Sequence, residues 1–283
     1  MNCYLCGSSN FKTRPGSVRD NDQVKVLECS ECGLVFLDSN NHINESFYQN
    51  SGMHDENPDY KKWLIETKRD DFRRLNVFKE KITNKVVLDF GCGIGGFLEL
   101  AKEFCKESYG LELELGLTES FKQRGLKVFS DYEALANSKI KFDIITAFHV
   151  VEHLKDPAKT LHDLSQLLNE DGEIIVEVPS STDALLTLYQ SEPFQNFTYW
   201  SQHLYLFNEN TLKKLSVKAG LSLKWLKYIQ RYPISNHLHW LSKGKPDGHK
   251  KWSFLDNPEL SKAYESTLAS LGIADTITLG LKY

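Results

Sequence analysis

Apolar and polar positions change rhythm along the chain. Between residues 85 and 178, short apolar runs alternate with amphipathic stretches. Strands are predicted at 85–90, 108–112, 127–129, 142–147 and 173–178, with helices at 96–104, 118–124, 132–136 and 157–168. Short apolar strands alternating with helices make a parallel sheet covered on both faces. Upstream, Leu64, Phe72, Leu75, Phe78 and Ile82 fall near helical spacing and predict an amphipathic helix over 59–81. Residues 39–60 are polar and read as a linker. Near the start, apolar runs at 24–27 and 34–37 predict a short β-hairpin.

Composition narrows the class. At ~150 residues per domain, 283 residues make about two domains. Hydrophobic residues at 41% and charged residues at 25% can bury a full core, which excludes disorder as the overall state. A net charge of −4 argues against a general nucleic-acid partner. No apolar run approaches the ~20 residues of a membrane span, and the first residues carry neither a basic nor an apolar leader region. The expectation is a cytoplasmic protein with no membrane partner.

Four of the six cysteines form two Cys-x-x-Cys pairs, Cys3/Cys6 and Cys29/Cys32, each followed by a glycine. In a chain expected in the cytosol, such pairs point to metal before disulfide. Two thiolates two residues apart in a tight turn can face one ion, and four close a tetrahedral Zn²⁺ shell with no open position. The pattern resembles a zinc ribbon with a structural metal.

The strand over 85–90 runs into Gly91-Cys92-Gly93-Ile94-Gly95-Gly96 and then a helix. Glycines let the backbone turn sharply and let a ligand approach, and the helix start adds N–H donors. Asp89, ending the strand, suits a ligand ammonium better than a pyrophosphate. The segment from Asp89 to Gly95 resembles motif I of the class I S-adenosylmethionine-dependent methyltransferases. The later blocks follow in that family's order: Tyr109 to Glu112, Asp131, Phe142 to Leu154 with Asp156-Pro157, and Asp171 to Pro179. The resemblance implies an α/β, Rossmann-like, seven-stranded methyltransferase sheet, preceded by the small N-terminal zinc ribbon, with 223–228 and 276–281 supplying its sixth and seventh strands after a helix at 208–219. It also implies a cofactor site of Asp89, Gly91, Gly93, Gly95, Glu112 (ribose hydroxyls), Asp131 (adenine side) and Phe148, with Tyr48 folded over the methionine end. The expected organisation is a zinc ribbon at 1–38, a linker and leading helix at 39–84, and the methyltransferase domain at 85–283. That domain carries substrate-lid insertions at 180–207 and 233–270.

Candidate chemistry follows the fourth strand. His149, Glu152 and His153 share a helical face at i, i+3 and i+4, and His203 lies before the last helix. Three readings stand: a general base from His149 or His153, a second divalent cation lowering the acceptor's pKa, or a structural brace. The order resembles the Glu-x-x-Glu-His plus distant His of metal-dependent small-RNA and ubiquinone-pathway O-methyltransferases, with His149 in place of the first Glu. Aromatics at 189–207 suggest an apolar lid, and the Lys243–Lys251 stretch a grip on an anion. The ribbon fusion resembles bacterial sugar-modifying methyltransferases of surface-polysaccharide or secondary-metabolite pathways. The resulting expectation is O- or C-methylation of a small, anionic acceptor, a phosphate-bearing or nucleotide-linked sugar. The alternatives are an RNA methyltransferase docking through the ribbon, a metal-assisted O-methyltransferase of another small molecule, and a non-catalytic binding module.

Overall fold

In a computed structural model of the chain, residues 1–43 and 60–283 are described. The expected cofactor residue Tyr48 lies outside them. The N-terminal segment contributes three short strands, β1 (Phe11–Thr13), β2 (Val26–Cys29) and β3 (Val35–Leu37), paired antiparallel in that order. The hairpin of β2 and β3 sits where the apolar runs predicted it.

The long helix α1 (Tyr60–Ile82) follows. Its inward stripe is Asp71, Leu75, Phe78 and Ile82, whereas Phe72, expected on the apolar face, is 42% exposed. An acid thus occupies an inward position of the helix, and the reason lies in the glycine loop described below.

Alternating strands and helices come next: β4 (Val86–Phe90), α2 (Gly96–Ala101), β5 (Glu107–Leu111), α3 (Thr118–Gln123), β6 (Val128–Phe129), α4 (Tyr132–Asn137), β7 (Phe142–Phe148), α5 (Pro157–Ser165) and β8 (Leu168–Pro179). β8 begins five residues before the predicted strand and takes in Asp171 and Gly172, where the chain turns sharply. Leu168 closes on Gly172 where a Cβ would stand, which only a glycine permits. The remaining elements are α6 (Ala184–Thr187), α7 (Glu192–Thr198), β9 (Tyr205–Leu206), α8 (Glu209–Lys218), β10 (Ser222–Ile229), α9 (Ile234–Lys243), α10 (Gly248–Lys251), α11 (Pro258–Ser270) and β11 (Thr276–Lys282).

Seven strands form one mostly parallel sheet in the order β10-β11-β8-β7-β4-β5-β6. β4 pairs parallel with both β5 and β7, and β5 with β6. The fold is therefore the expected α/β, Rossmann-like one. A second, four-stranded sheet has the order β1-β2-β3-β9, with Val35 opposite Leu206 and Phe36 opposite Tyr205. The strand β9 was not predicted.

The chain divides into two compact units that interleave in sequence. One contains Met1–His42, Val151–Ala158 and Glu177–Leu279; the other contains Ile43–Val150, Lys159–Val176 and Gly280–Tyr283. No helix among the described residues is long and apolar enough to cross a membrane.

Candidate active site and four-cysteine cluster

The glycine loop belongs to the unit holding β4 to β7. Gly91, Gly93 and Gly95 all have positive φ, at 70°, 51° and 76°, the left-handed region open to glycine without a Cβ penalty. Val150, just past β7, packs where a Gly91 Cβ would stand. The exit of β7 therefore lies against the loop. At Gly96 a Cβ would collide with the Asp71 carboxylate. Asp71 is turned inward from α1 to sit over the first residue of α2, which explains the acid in the helix's inner stripe. Trp63 of the same helix lies 3.6 Å from the Cβ position of Gly93, and the Arg124 guanidinium donates to the Ile94 carbonyl. None of Trp63, Asp71, Arg74 and Arg124 was singled out from the sequence.

Asp89 is buried and accepts a hydrogen bond from Thr146 Oγ1 at 2.7 Å. Burial pushes its carboxyl up to about 7, although Thr146 and the Arg74 guanidinium pull it down. Arg74 itself pairs with Asp71 at 3.5 Å and lies 4.8 Å from the centre of the Phe148 ring. Phe148 is enclosed further by Phe78, stacked at 5.8 Å, and Phe97, edge-on at 5.1 Å. Its ring thus belongs to the packing of α1 on α2.

Parallel pairing of β4 with β5 brings Glu112 to the loop. Its Oε2 accepts from the Gly93 N–H at 2.8 Å and its Oε1 from the Glu114 N–H at 3.0 Å. Burial raises its pKa despite those donors. Asp131 follows β6, the neighbour of β5, and caps α4 by accepting from the Ala134 N–H at 2.7 Å. Asp89, Gly91, Gly93, Gly95 and Glu112 are thus gathered, with Asp131 at the next strand end. His149 immediately follows β7 with φ of 56°. A non-glycine residue in this region marks a strained, locally determined position.

The other unit holds the rest of the predicted chemistry. Glu152 is fully buried, and Glu152, His153 and His203 each offer a ligand atom within 4.8 Å of the others. The His153 and His203 rings are 4.9 Å apart, and Trp200 is edge-on to both at 6.2 and 5.5 Å. In the same unit the four cysteine sulfurs also lie within 4.8 Å of one another, with Cys3–Cys32 and Cys6–Cys29 at 3.5 Å. A tetrahedral ion with ~2.3 Å bonds to sulfur has S···S edges of about 3.8 Å, so this donor set fits Zn²⁺. Each pair turns on a glycine of positive φ, Gly7 at 73° and Gly33 at 79°, whose N–H donates back to Cys3 or Cys29.

Of the segments expected to receive an acceptor, 189–207 is partly packed inside, whereas Lys243, Lys245, Lys250 and Lys251 are exposed. Tyr199, Tyr205 and Phe207 are buried, and Phe194 and Phe197 lie against Trp240. Ahead of the lysine-rich segment, His239 is buried with its Nδ1 on the Lys245 carbonyl at 2.8 Å and its ring on Trp252 at 5.0 Å. His237 is buried with Nδ1 on Tyr264 Oη at 2.8 Å, and burial lowers its pKa to about 4.

Comparison with known proteins bears on the same region. A family model described as a methyltransferase domain matches residues 60–224, so α1 falls within the match. An uncharacterized protein of Methanocaldococcus jannaschii is 29% identical over 47% of this chain and 57% of its own. The tRNA U34 carboxymethyltransferase of Campylobacter lari is 30% identical over 41% of this chain and 44% of its own. The chain thus spans about half the length of these relatives. The ubiquinone biosynthesis O-methyltransferase of Coxiella burnetii is 26% identical over 58% of this chain and 75% of its own. Among solved structures, a SAM-dependent methyltransferase from Thermotoga maritima superposes with a TM-score of 0.51 at 18% identity. That match covers 83% of this chain and 97% of the other, a likeness of fold.

Proposed function

The chain belongs to the methyltransferase-domain family, and from that premise we propose that it methylates a hydroxyl of a small, anionic acceptor. A nucleotide-linked sugar is the class we favour. The observation that carries the reading is His149 beside the glycine loop, held at positive φ immediately after β7. S-adenosylmethionine, when bound, supplies an electrophilic methyl group. Asp89 would face its ammonium end. Glu112 keeps a lone pair on each carboxylate oxygen for the ribose hydroxyls while it accepts from Gly93 and Glu114. The His149 imidazole would take the acceptor's proton as oxygen attacks the methyl carbon and the carbon–sulfur bond breaks. The product side is then a methyl ether and S-adenosylhomocysteine. The four cysteines would hold a structural zinc.

A second reading is favoured by the convergence of Glu152, His153 and His203. These three would hold a divalent cation that lowers the pKa of the acceptor hydroxyl, with the ubiquinone-pathway relative as a fitting comparison. An RNA acceptor, suggested by the name of the carboxymethyltransferase relatives, fits less well with a net charge of −4.

The test uses methyl-labelled SAM and a cell extract split into small-molecule and macromolecular fractions. Label in small anionic compounds, lost in His149→Ala, supports the proposal; label in RNA or protein overturns it. Loss in His153→Ala and rescue by added divalent metal would move the chemistry to the second reading.

A further inference from the structure

The four-cysteine module is tied to both chain segments that carry the Glu152–His153–His203 cluster. The first knuckle, Cys3 to Cys6, reaches the segment after His153. Tyr4, inside that knuckle, donates its hydroxyl to Asp156 Oδ1 at 2.5 Å and accepts from the Ala158 N–H at 2.9 Å. The Tyr4 ring lies 5.4 Å from that of Tyr205, whose hydroxyl donates to the Lys155 carbonyl at 3.3 Å.

The second knuckle, Cys29 to Cys32, reaches the segment after His203. The Cys32 carbonyl accepts from Asn210 Nδ2 at 3.0 Å, and the Gly33 carbonyl from Asn208 Nδ2 at 3.3 Å. Between those anchors β9 pairs with β3. On the other side of His203, Asp20 accepts from the Ser201 N–H and Oγ at 2.9 and 2.7 Å. His42 Nε2 lies 2.7 Å from the Ser201 carbonyl, and the Arg19 guanidinium lies 4.6 Å from the Trp200 ring.

The two knuckles are joined by the sulfurs of the cluster, Cys3 to Cys32 and Cys6 to Cys29. We infer that a metal ion on the four cysteines cross-links the two segments bearing His153 and His203, and so sets their spacing. Tyr4 and Asn210 are the positioning residues that transmit it. This rests on the reading that the Glu152–His153–His203 group works on the acceptor. The module is then an internal strut of the enzyme, in contrast to a docking domain for a macromolecule. These contacts anchor the chain beside each histidine, so a shift at either knuckle moves one ring relative to the other.

The full chain, labelled with 5-fluorotryptophan, is examined by fluorine NMR, with the Trp200 resonance assigned through Trp200→Phe. Trp200 contacts both histidine rings, and Trp63 beside the glycine loop is the internal control. Amide exchange and calorimetric S-adenosylhomocysteine affinity are measured in parallel. Stripping the metal with a chelator is expected to move the Trp200 signal and raise exchange in 151–158 and 199–207 about tenfold or more. The Trp63 signal, exchange in 86–101 and S-adenosylhomocysteine affinity stay unchanged. Tyr4→Phe, which keeps the ring, raises exchange in 151–158 about threefold and moves the Trp200 signal without lowering the melting temperature. Asn210→Ala does the same for 203–210.

An unmoved Trp200 signal with unchanged exchange after metal removal overturns the inference. So does loosening that spreads equally to 86–101. A failure to bind S-adenosylhomocysteine in the intact, metal-loaded protein sinks the proposed function instead and leaves the exchange result to judge the strut on its own.

Discussion

The replacement of Asp89 by Asn tests how the cofactor's ammonium is held. Asp89 is buried, its carboxyl titrates at about 7, and Asp71 and Glu112 add negative field around it. A carboxyl at about 7 is roughly nine-tenths ionised at pH 8 and one-tenth at pH 6. A ligand ammonium needs the ionised form. The dissociation constant of S-adenosylhomocysteine, which keeps the ammonium, should therefore rise about tenfold between pH 8 and pH 6, with proton release on binding at pH 6. Titration calorimetry in two buffers of different ionisation enthalpy measures both quantities. In Asp89→Asn the affinity should be weak and flat across that range.

The same carboxyl links stability to pH. Its native pKa lies above the 3.8 of an ordinary Asp, so the native state holds the proton more tightly than the unfolded chain. Its contribution to stability is full below about pH 4 and is lost as pH rises through about 7. Asp89→Asn, uncharged throughout, should melt above the cofactor-free wild type at pH 8 and close to it at pH 5. A wild-type affinity that is flat from pH 6 to 8, or an Asn variant that melts lower at pH 8, refutes this reasoning.

Three other perturbations follow from the geometry. Gly96→Ala should drive its methyl into the Asp71 carboxylate, an overpacking that costs about 1–3 kcal/mol in a thermal or urea melt. Asp71→Ala in the same chain should recover most of it, and no recovery would mean the strain lies elsewhere. His149→Gly should leave the melting temperature level or slightly higher, because a φ of 56° costs a non-glycine residue about 1 kcal/mol. Methyl transfer should fall by about a hundredfold or more, and intact turnover would remove His149 from the chemistry. Cys29→Ala should lower zinc content from one ion per chain to below about a tenth. Full zinc retention in a metal analysis would show that the ion does not use the four thiolates.

The glycine loop, its flanking strand and helix, and the two Cys-x-x-Cys turns were legible because each is local. A few neighbouring residues determine the backbone path. Asp71 escaped notice because an acid on an amphipathic helix is read as solvent-facing, and only the missing Cβ of Gly96, which lies on α2, explains its inward turn. The neighbouring Phe72 was assigned to the core for the same reason, one position out of register. The ring of Phe148, a residue expected beside the cofactor, also packs on Phe78, Phe97 and Arg74. That pattern belongs to packing between helices and leaves no local trace. The strand β9 has two residues and a partner in the N-terminal segment. Its pairing is a property of the folded chain, invisible to periodicity. The aromatics of 189–207 were read as a lid, whereas Tyr199, Tyr205 and Phe207 are interior contacts. Single side chains of that kind look alike in either role.

The pairing of β3 with β9 has a consequence for biosynthesis. Translation delivers the four cysteines within the first 32 residues, but the strand that completes their sheet ends at Leu206. At ~5–20 residues per second, roughly ten to thirty seconds separate the two events on the ribosome. Throughout that interval β3 has one edge without its final neighbour, and an unpaired edge invites pairing with another chain. Early metal loading would fold the hairpin back on its own sulfurs while the β3 edge awaits its partner. The timing of metal delivery would then bear on the yield of correctly folded protein as well as on the finished molecule.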